Sequence, residues 1–129
     1  MKRTDFSVDW LFAVCAPDTE LPPQDTQFTP VDLPHDWQIR HADDLYRDGM
    51  LFYRKYFFVT AEPGTRRMLW FGGAYMDTTV FVNGTEVGQW KYGYTSFWFD
   101  ITDALHEGQN EVLVRCHLRH PNSRWYSGA

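Results

Sequence analysis

Residues 110–119, which read NEVLVRCHLR, place an apolar side chain at every second position. A repeat of two residues is the period of a β-strand with one buried face, whereas an amphipathic helix repeats its apolar residues every three or four positions. The segment therefore predicts a half-buried β-strand. Its buried face carries Val112, Val114, Cys116 and Leu118, and its exposed face carries Arg115, His117 and Arg119.

Other parts of the chain also have the aromatic and β-branched composition of strands. These segments cover residues 51–60, 66–72, 78–88 and 95–102. Within 78–88 the pair Asn83-Gly84 separates two alternating runs, and this pair suits the positive φ angles of a tight hairpin turn. Adjacent Arg54 and Lys55 must point to opposite faces of their strand.

No window sustains the periodicity of a helix. The nearest is residues 100–108, where Thr102 is expected to cap one short turn that holds Leu105 inward and ends at Gly108. Residues 17–50 are rich in proline and acidic residues and predict a long surface loop with one short strand. Short strands separated by turn signals indicate an all-β protein, and we expect a jelly-roll β-sandwich that occupies residues 1–129 as a single domain.

Charge and cysteine content exclude several classes of protein. The net charge is -5 and there is no basic block, which argues against a nucleic-acid partner. The only two cysteines, Cys15 and Cys116, form no CxxC metal pattern. We interpret both as small buried hydrophobic residues of a cytoplasmic protein, and a single disulfide between them is the alternative.

The first residues of the chain imitate a secretory signal, because Lys2 and Arg3 precede an apolar patch at 10–16. Asp5 and Asp9 interrupt the pattern, and the patch is at the short limit for a signal peptide. No stretch approaches the roughly 20 apolar residues that cross a bilayer. We therefore expect a cytoplasmic location and no membrane partner.

Glycosidase chemistry needs two carboxylates about 5–10 Å apart. Many aspartates are available, but most stand beside Gly, Pro or strand ends, where aspartate caps turns, and the sequence selects no pair. The candidates are Asp36, Asp43, Asp44, Asp48, Asp77 and Asp100. We interpret them as solvated or turn-capping acids.

Other catalytic and binding motifs are weak. His117 and His120 fall on opposite faces of a strand or just beyond it, so we expect no metal site, and we expect no cofactor. No GxSxG sequence marks a serine nucleophile. Asn83-Gly84-Thr85 matches an N-glycosylation sequon, but the turn geometry alone explains the Asn-Gly pair.

Aromatic residues recur in residues 91–99 and 122–128, and the second segment also contains Arg124. Flat rings suit the C–H faces of sugars and a guanidinium suits pairs of hydroxyls, so this mixture fits a carbohydrate ligand. We expect Phe97 and Phe99 to fill the core instead. For Arg124 and Trp125, sugar binding and packing against another domain both stay open.

Six segments in a fixed order together resemble one family. They are LPHDW at 33–37, FYRKYF at 52–57, LWFGGAYMDTTVFVNGTEVG at 69–88, YGYTSFWFDIT at 92–102, NEVLVRC at 110–116 and PNSRWYSGA at 121–129. The set resembles the N-terminal sugar-binding domain of glycoside hydrolase family 2, most closely that of its bacterial β-galactosidases. The resemblance extends over about residues 5–129, nearly the whole chain.

The resemblance implies that the chain is part of a longer enzyme. In the family an immunoglobulin-like domain and a TIM barrel follow, and both catalytic glutamates lie on the barrel. The chain is then expected to stop inside its own jelly roll, before its last strands, and to be inactive by itself. The parent enzyme is expected to be a retaining β-galactosidase that hydrolyses terminal β-galactosides.

The same resemblance suggests Arg124, Trp125 and Asp36 as substrate-binding residues, and no catalytic residue. Many relatives carry an aspartate at the position of Arg124, so the contact with the sugar is expected but its chemistry differs. Trp125 is expected either to wall the sugar subsite or to pack between domains. For Asp36, and for Trp37 beside it, bracing of the loop is the favoured role.

Three alternatives remain open at this point. In the first, the longer enzyme is a β-glucuronidase or a β-mannosidase instead of a β-galactosidase, because the pocket that decides the substrate lies mainly in the barrel. A stand-alone carbohydrate-binding module would need its own aromatic groove. A purely structural domain would use the same aromatics as an apolar seam and would self-associate through open strand edges.

Overall fold

The computed structural model describes residue 6 and residues 8–32, 49–60, 64–71, 77–90 and 97–118. Eight strands and one short 3-10 turn lie within these ranges. The strands are β1 (Trp10–Cys15), β2 (Thr29–Val31), β3 (Gly49–Val59), β4 (Met68–Phe71), β5 (Asp77–Val82), β6 (Thr85–Trp90), β7 (Phe97–Asp100) and β8 (Gly108–Leu118), and the 3-10 turn is Thr102–Ala104. No helix in this part of the chain is long and apolar enough to cross a membrane.

The strands form two antiparallel sheets. The larger sheet has the order β2-β1-β3-β8-β5-β6, and the smaller sheet pairs β4 with β7. The chain passes from the larger sheet at β3 to the smaller sheet at β4, and back at β5. Such exchange between two packed sheets is the architecture of a β-sandwich, so the prediction of an all-β sandwich is confirmed.

The main core lies between the two sheets. The strand predicted at 110–119 is confirmed, and its alternation buries Val112, Val114 and Cys116 to 1% exposure or less. The smaller sheet contributes Leu69 and Phe99 to the same cluster. The expectation that Phe99 fills the core is therefore confirmed.

The outer face of the larger sheet is more covered than a half-buried strand implies. Leu113 is only 4% exposed there and packs with Met50 and Phe52 in a second apolar cluster. The loop before β2 lies over this face: the guanidinium of Arg54 stands 4.4 Å from the Phe28 ring centre, and Arg115 Nη1 donates to the Glu20 carbonyl at 2.6 Å. The arginine stems and heads thus shield apolar surface instead of standing free in water.

β1 is an element that the sequence reading missed. The apolar run at residues 10–16 imitates a leader and predicts no strand, because the run is continuous and has no period of two. In the structure β1 pairs with β3, Trp10 is fully buried, and its indole Nε1 donates to the Phe6 carbonyl at 2.6 Å. β1 carries apolar residues on both faces, with Trp10 and Phe12 on the main core side and Ala13 buried on the other, so its sequence does not alternate.

Arg54 and Lys55 do point to opposite faces, as predicted. Arg54 lies on the outer face, where its Nε is 2.9 Å from Glu111 Oε2. Lys55 lies on the core side and is 8% exposed; its ammonium donates to the Val8 carbonyl and stands 4.8 Å from the Phe6 ring centre. The backbone carbonyl and the ring face stabilise a charge that burial alone would disfavour.

The hairpin at Asn83-Gly84 is confirmed. Asn83 and Gly84 have φ angles of 51° and 82°, both in the left-handed region. The Asn83 side chain is also engaged: its Nδ2 donates to the Ala104 carbonyl and to Asn110 Oδ1, each at 2.8 Å, and its Oδ1 accepts from the Glu111 amide at 2.9 Å. The Asn-Gly-Thr sequence is therefore a turn whose asparagine amide is already bound.

The turn near residue 102 differs from the prediction. Thr102 lies inside the 3-10 turn, Ile101 holds the cap position, and no side chain caps it. Asp100 Oδ1 instead accepts from the amide and the hydroxyl of Thr102, at 3.0 and 2.7 Å, because an aspartate two residues upstream forms an Asx-type turn. Leu105 does pack inward, but Gly108 opens β8 with a φ of 102°.

The two cysteines are free thiols on opposite faces of the larger sheet. Cys116 belongs to the main core, and burial raises the pKa of its thiol to about 12. Cys15 is only partly buried and packs against the second cluster. The alternative of a disulfide between them is wrong, since the sheet separates them, and only Cys116 is a fully buried hydrophobic residue as expected.

A test of the sandwich closure uses Gly88 of β6. A Cβ added there would lie 1.9 Å from Cε1 of the Phe99 ring, so the two sheets meet where Gly88 has no side chain. We expect Gly88→Ala to lower the free energy of unfolding by about 1–3 kcal/mol, as overpacking does. Urea unfolding measures it.

Gly49→Ala is the matched control, because its new Cβ would meet Val14 Cγ1 at 3.5 Å, an ordinary contact. The urea midpoint of this variant should stay close to that of the parent protein. Equal midpoints for the Gly88→Ala and Gly49→Ala proteins would contradict the close approach of Phe99 to β6.

A second test concerns Asn110, which is 1% exposed. Its Nδ2 donates to the carbonyls of His106 and Gly108 at 2.9 and 3.0 Å, and its Oδ1 accepts from the His106 amide at 3.0 Å. Asn110→Asp puts an oxygen against those two carbonyls, so we expect a loss of about 2–3 kcal/mol in unfolding free energy.

The adjacent exposed residue supplies the control, since Gln109→Glu makes the same chemical change outside the core. It should leave the unfolding free energy almost unchanged. If both variants lose the same stability, general charge repulsion and not the buried hydrogen bonds determines the effect.

Candidate functional surface

The substrate-binding residues suggested by the resemblance, Asp36, Arg124 and Trp125, lie outside the described residues, and so does Trp37. Of the candidate carboxylates, Asp36, Asp43, Asp44 and Asp48 also lie outside, and the side chain of Asp77 is not described. These predictions stay predictions. The described residues bring together a different group on the outer face of the smaller sheet.

The alternation of β4 and β7 builds this surface. Leu69 and Phe99 point into the core, so their neighbours point outward. Trp70 and Trp98 are directly opposite in the register of the two strands, and Met68 is opposite Asp100. We call the outward group of Met68, Trp70 and Trp98 the tryptophan platform.

The platform exposes aromatic surface to solvent. The ring centres of Trp70 and Trp98 are 6.0 Å apart and the ring planes are tilted by 47°. Trp98 is 47% exposed and Met68 48% exposed. The half-exposed Trp98 ring beside Trp70 therefore offers aromatic surface on which a flat apolar group can pack.

One end of the platform carries charge. Arg66 donates from Nε and Nη2 to Asp100 Oδ2, at 3.1 and 2.6 Å, and its side chain remains 60% exposed. Its Nη1 is 3.9 Å from Asp103 Oδ1, beyond hydrogen-bond distance. The Thr102 hydroxyl, which accepts from the Arg67 amide at 2.7 Å, connects this pair to the start of β4.

Asp100 is held as a carboxylate. Hydrogen bonds from Thr102, and then from Arg66, lower its pKa from 3.8 to about 2. One oxygen accepts from Thr102 and the other from Arg66. A carboxylate in this state cannot serve as a general acid near neutral pH, and its interpretation as a turn-capping aspartate is confirmed.

The described residues hold no cluster of three or more His, Cys, Asp or Glu side chains that could bind a metal ion. The side chain of His117, and all of His120, lie outside what the structure describes.

The sequence pattern places Trp98 in the aromatic segment 91–99, but it predicts neither Trp98 nor Trp70 as a binding residue. A usable signal was present. Each tryptophan stands between apolar residues in a short strand, in LWF and in FWF. In a sandwich strand the two flanking residues face the core and the central one faces outward. A large aromatic ring at that central position predicts exposed aromatic surface.

A pH titration tests the role of Asp100. Because its folded pKa lies below 3.8, the stabilising contribution is complete above about pH 4 and is lost as the pH falls towards 2. We expect Asp100→Asn to flatten the fall of unfolding free energy across that window, as measured by urea unfolding at several pH values.

Asp103→Asn is the control, since Asp103 belongs to the same turn but is 93% exposed. Its profile should retain the slope of the parent protein. An unchanged slope in Asp100→Asn would show that the hydrogen bonds of Asp100 contribute nothing in this pH range.

No protein-family model matches the chain. Among curated proteins, a β-galactosidase of Bacteroides ovatus is 37% identical over 142 residues, which covers 98% of this chain and 17% of that protein. A β-glucuronidase of Bacteroides fragilis is 38% identical over 90 residues, which covers 66% of this chain and 13% of that protein. The chain thus spans about a sixth or less of the length of these relatives.

A solved structure agrees with these matches. A glycosyl hydrolase family 2 member from Bacteroides cellulosilyticus superposes with a TM-score of 0.70 at 28% identity, over 98% of this chain and 19% of that one. Sequence and fold thus point to the same family, and the expected jelly-roll sandwich is confirmed. These matches identify the chain as a homologue of the N-terminal sugar-binding, jelly-roll domain of glycoside hydrolase family 2.

Proposed function

We propose that this chain is the non-catalytic N-terminal domain of a longer, retaining β-galactosidase that hydrolyses terminal β-galactosides. The observation that carries the proposal is the match of 98% of the chain to 17% of a β-galactosidase. Such a domain accounts for only a small share of the enzyme. Its role is then to position or support an active site that lies mainly in the other domains. The downstream partners would be an immunoglobulin-like domain and a TIM barrel that holds both catalytic glutamates.

The described carboxylates fit a non-catalytic role. Both oxygens of Asp100 are occupied by protein donors, and Glu111 Oε2 is paired with Arg54. Retaining glycosidases need two carboxyl groups about 5 Å apart, one of them able to give up a proton near neutral pH. Asp100 and Glu111 are instead committed to a turn and to an ion pair.

Arg124, Trp125 and Asp36 are the residues that this domain would bring to the substrate. Arg124 would donate to a sugar hydroxyl or pair with a carboxylate of the barrel, since a guanidinium can bind two acceptors in one plane. Trp125 would present a ring face to the sugar. Asp36, with Trp37 beside it, would brace the loop that carries it towards the site.

A β-glucuronidase is the second candidate for the longer protein. The observation that favours it is the 38% identity to the β-glucuronidase of Bacteroides fragilis. The two substrates differ at one carbon, a hydroxymethyl group in a galactoside and a carboxylate in a glucuronide. A panel of nitrophenyl β-galactoside, β-glucuronide and β-mannoside given to the longer protein separates the candidates by the ratio of their kcat/KM values.

We also place the protein in the cytoplasm. The support is that Cys15 and Cys116 are both free thiols, which suits a reducing compartment.

The experiment that tests the function is turnover of nitrophenyl β-galactoside by the longer protein, with and without Arg124→Ala. We expect hydrolysis with retention, and a fall in kcat/KM of more than tenfold, about 1.4 kcal/mol, in the variant. The physical reason is the loss of a charge-assisted contact to the sugar or to a barrel carboxylate.

Glu86→Ala is the control, an exposed residue beside the Asn83-Gly84 turn, and it should leave kcat/KM unchanged. An Arg124→Ala protein that turns over as fast as its parent would remove Arg124 from the site. A longer protein that cleaves none of the three glycosides would overturn the enzymatic proposal, and a stand-alone binding module would then become the leading function.

A further inference from the structure

The tryptophan platform consists of residues other than those proposed to reach the substrate, and it carries an inference of its own. We propose that Trp70 and Trp98 form a carbohydrate-stacking site on the outer face of the smaller sheet, with Arg66 as its polar contact. This goes beyond the proposed function, because it requires neither the barrel nor hydrolysis.

The geometry of the two indoles suits the face of a pyranose ring. Their ring centres are 6.0 Å apart and their planes are tilted by 47°, so one pyranose ring can span the distance between the two indoles. An aromatic face carries partial negative charge, whereas the axial C–H groups on one side of a galactoside carry partial positive charge. The contact is therefore attractive and needs no charged partner.

Arg66 gives the surface a hydrogen-bond donor at one end. Asp100 occupies Nε and Nη2 and so holds the guanidinium in place, while Nη1 is not within hydrogen-bond distance of Asp103. Met68 and Asp100 are opposite each other two residues along from the indole pair, and Asp100 binds Arg66, so Arg66 lies at the edge of the platform. Nη1 can then donate to a hydroxyl of a sugar stacked on the rings.

The size of the platform favours a sugar over a protein. A stable protein interface buries about 800 Å² on each partner. A fully covered aromatic side chain contributes about 150–250 Å²; since Trp98 and Met68 are only about half exposed and Trp70 is less exposed, the platform offers an apolar surface on the order of 200 Å². That area is comparable with the face of one or two sugar rings and is far below the area that a stable protein interface buries.

The test follows the indole N–H signals of the 129-residue chain by two-dimensional NMR during titration with methyl β-galactoside and with lactose. The chain has six tryptophans, so the spectrum is simple, and loss of a signal in Trp70→Ala or Trp98→Ala assigns it. We expect saturable shifts of the Trp70 and Trp98 signals at millimolar sugar, and at least a tenfold weaker affinity in Trp98→Ala.

Phe58→Ala is the matched control, because Phe58 is an aromatic residue 77% exposed on the other sheet; it should leave the affinity unchanged. Trp98→Tyr keeps a ring on the platform and should retain part of the affinity, which separates stacking from a general loss of structure. Arg66→Ala should weaken binding while the indole signals still shift.

Two results would overturn the proposal. One is the absence of saturable shifts at these signals, or saturable shifts of the four remaining indole signals that persist in a Trp70→Ala/Trp98→Ala protein. The other is broadening of the same signals with protein concentration that disappears in Trp98→Ala, which would make the platform a contact between two copies of the chain. Failure of the proposed function would be seen separately, as absent glycoside hydrolysis by the longer protein.

Discussion

The pairing of β3 with β8 is the interaction on which the rest of the sandwich depends. Each strand has eleven residues, and they are antiparallel from Gly49 opposite Leu118 to Val59 opposite Gly108. β1 joins one side of this pair and β5 the other, so the larger sheet is assembled around it. The two strands are distant in sequence, and their association must repay the entropy of closing the intervening chain. The apolar residues on both faces of the pair supply that free energy.

The elements that the sequence predicts correctly are those whose backbone conformation is indicated by neighbouring residues alone. β8 alternates because one face of the strand meets the core, and Asn83-Gly84 turns because both residues accept positive φ. β1 could not be recognised in this way, since apolar residues on both of its faces remove the alternation. Its strand character is determined by β3, a partner that is distant in sequence.

The error at Thr102 has a different origin. Threonine and aspartate compete for the same backbone donors, and the sequence alone does not say which side chain reaches them. Asp100 does so here because it also holds Arg66, so the ion pair and the turn favour the same rotamer. The candidate surface was hidden for a similar reason. LWF and FWF predict outward tryptophans separately, but that Trp70 and Trp98 meet depends on the β4–β7 register, which the sequence does not show.

The two outer faces of the sandwich differ in how far the described residues cover them. The loop before β2 covers the outer face of the larger sheet. Its Phe28 ring packs against the Arg54 guanidinium, and its Glu20 carbonyl accepts a hydrogen bond from Arg115. The smaller sheet presents Trp98, half exposed, beside an arginine held by Asp100. Because the loop covers it, the outer face of the larger sheet contributes to the stability of the fold and is not free to bind a ligand. A face that leaves an aromatic ring half exposed beside an oriented donor is instead available to a ligand. Carbohydrate is the ligand class whose shape and chemistry match both features.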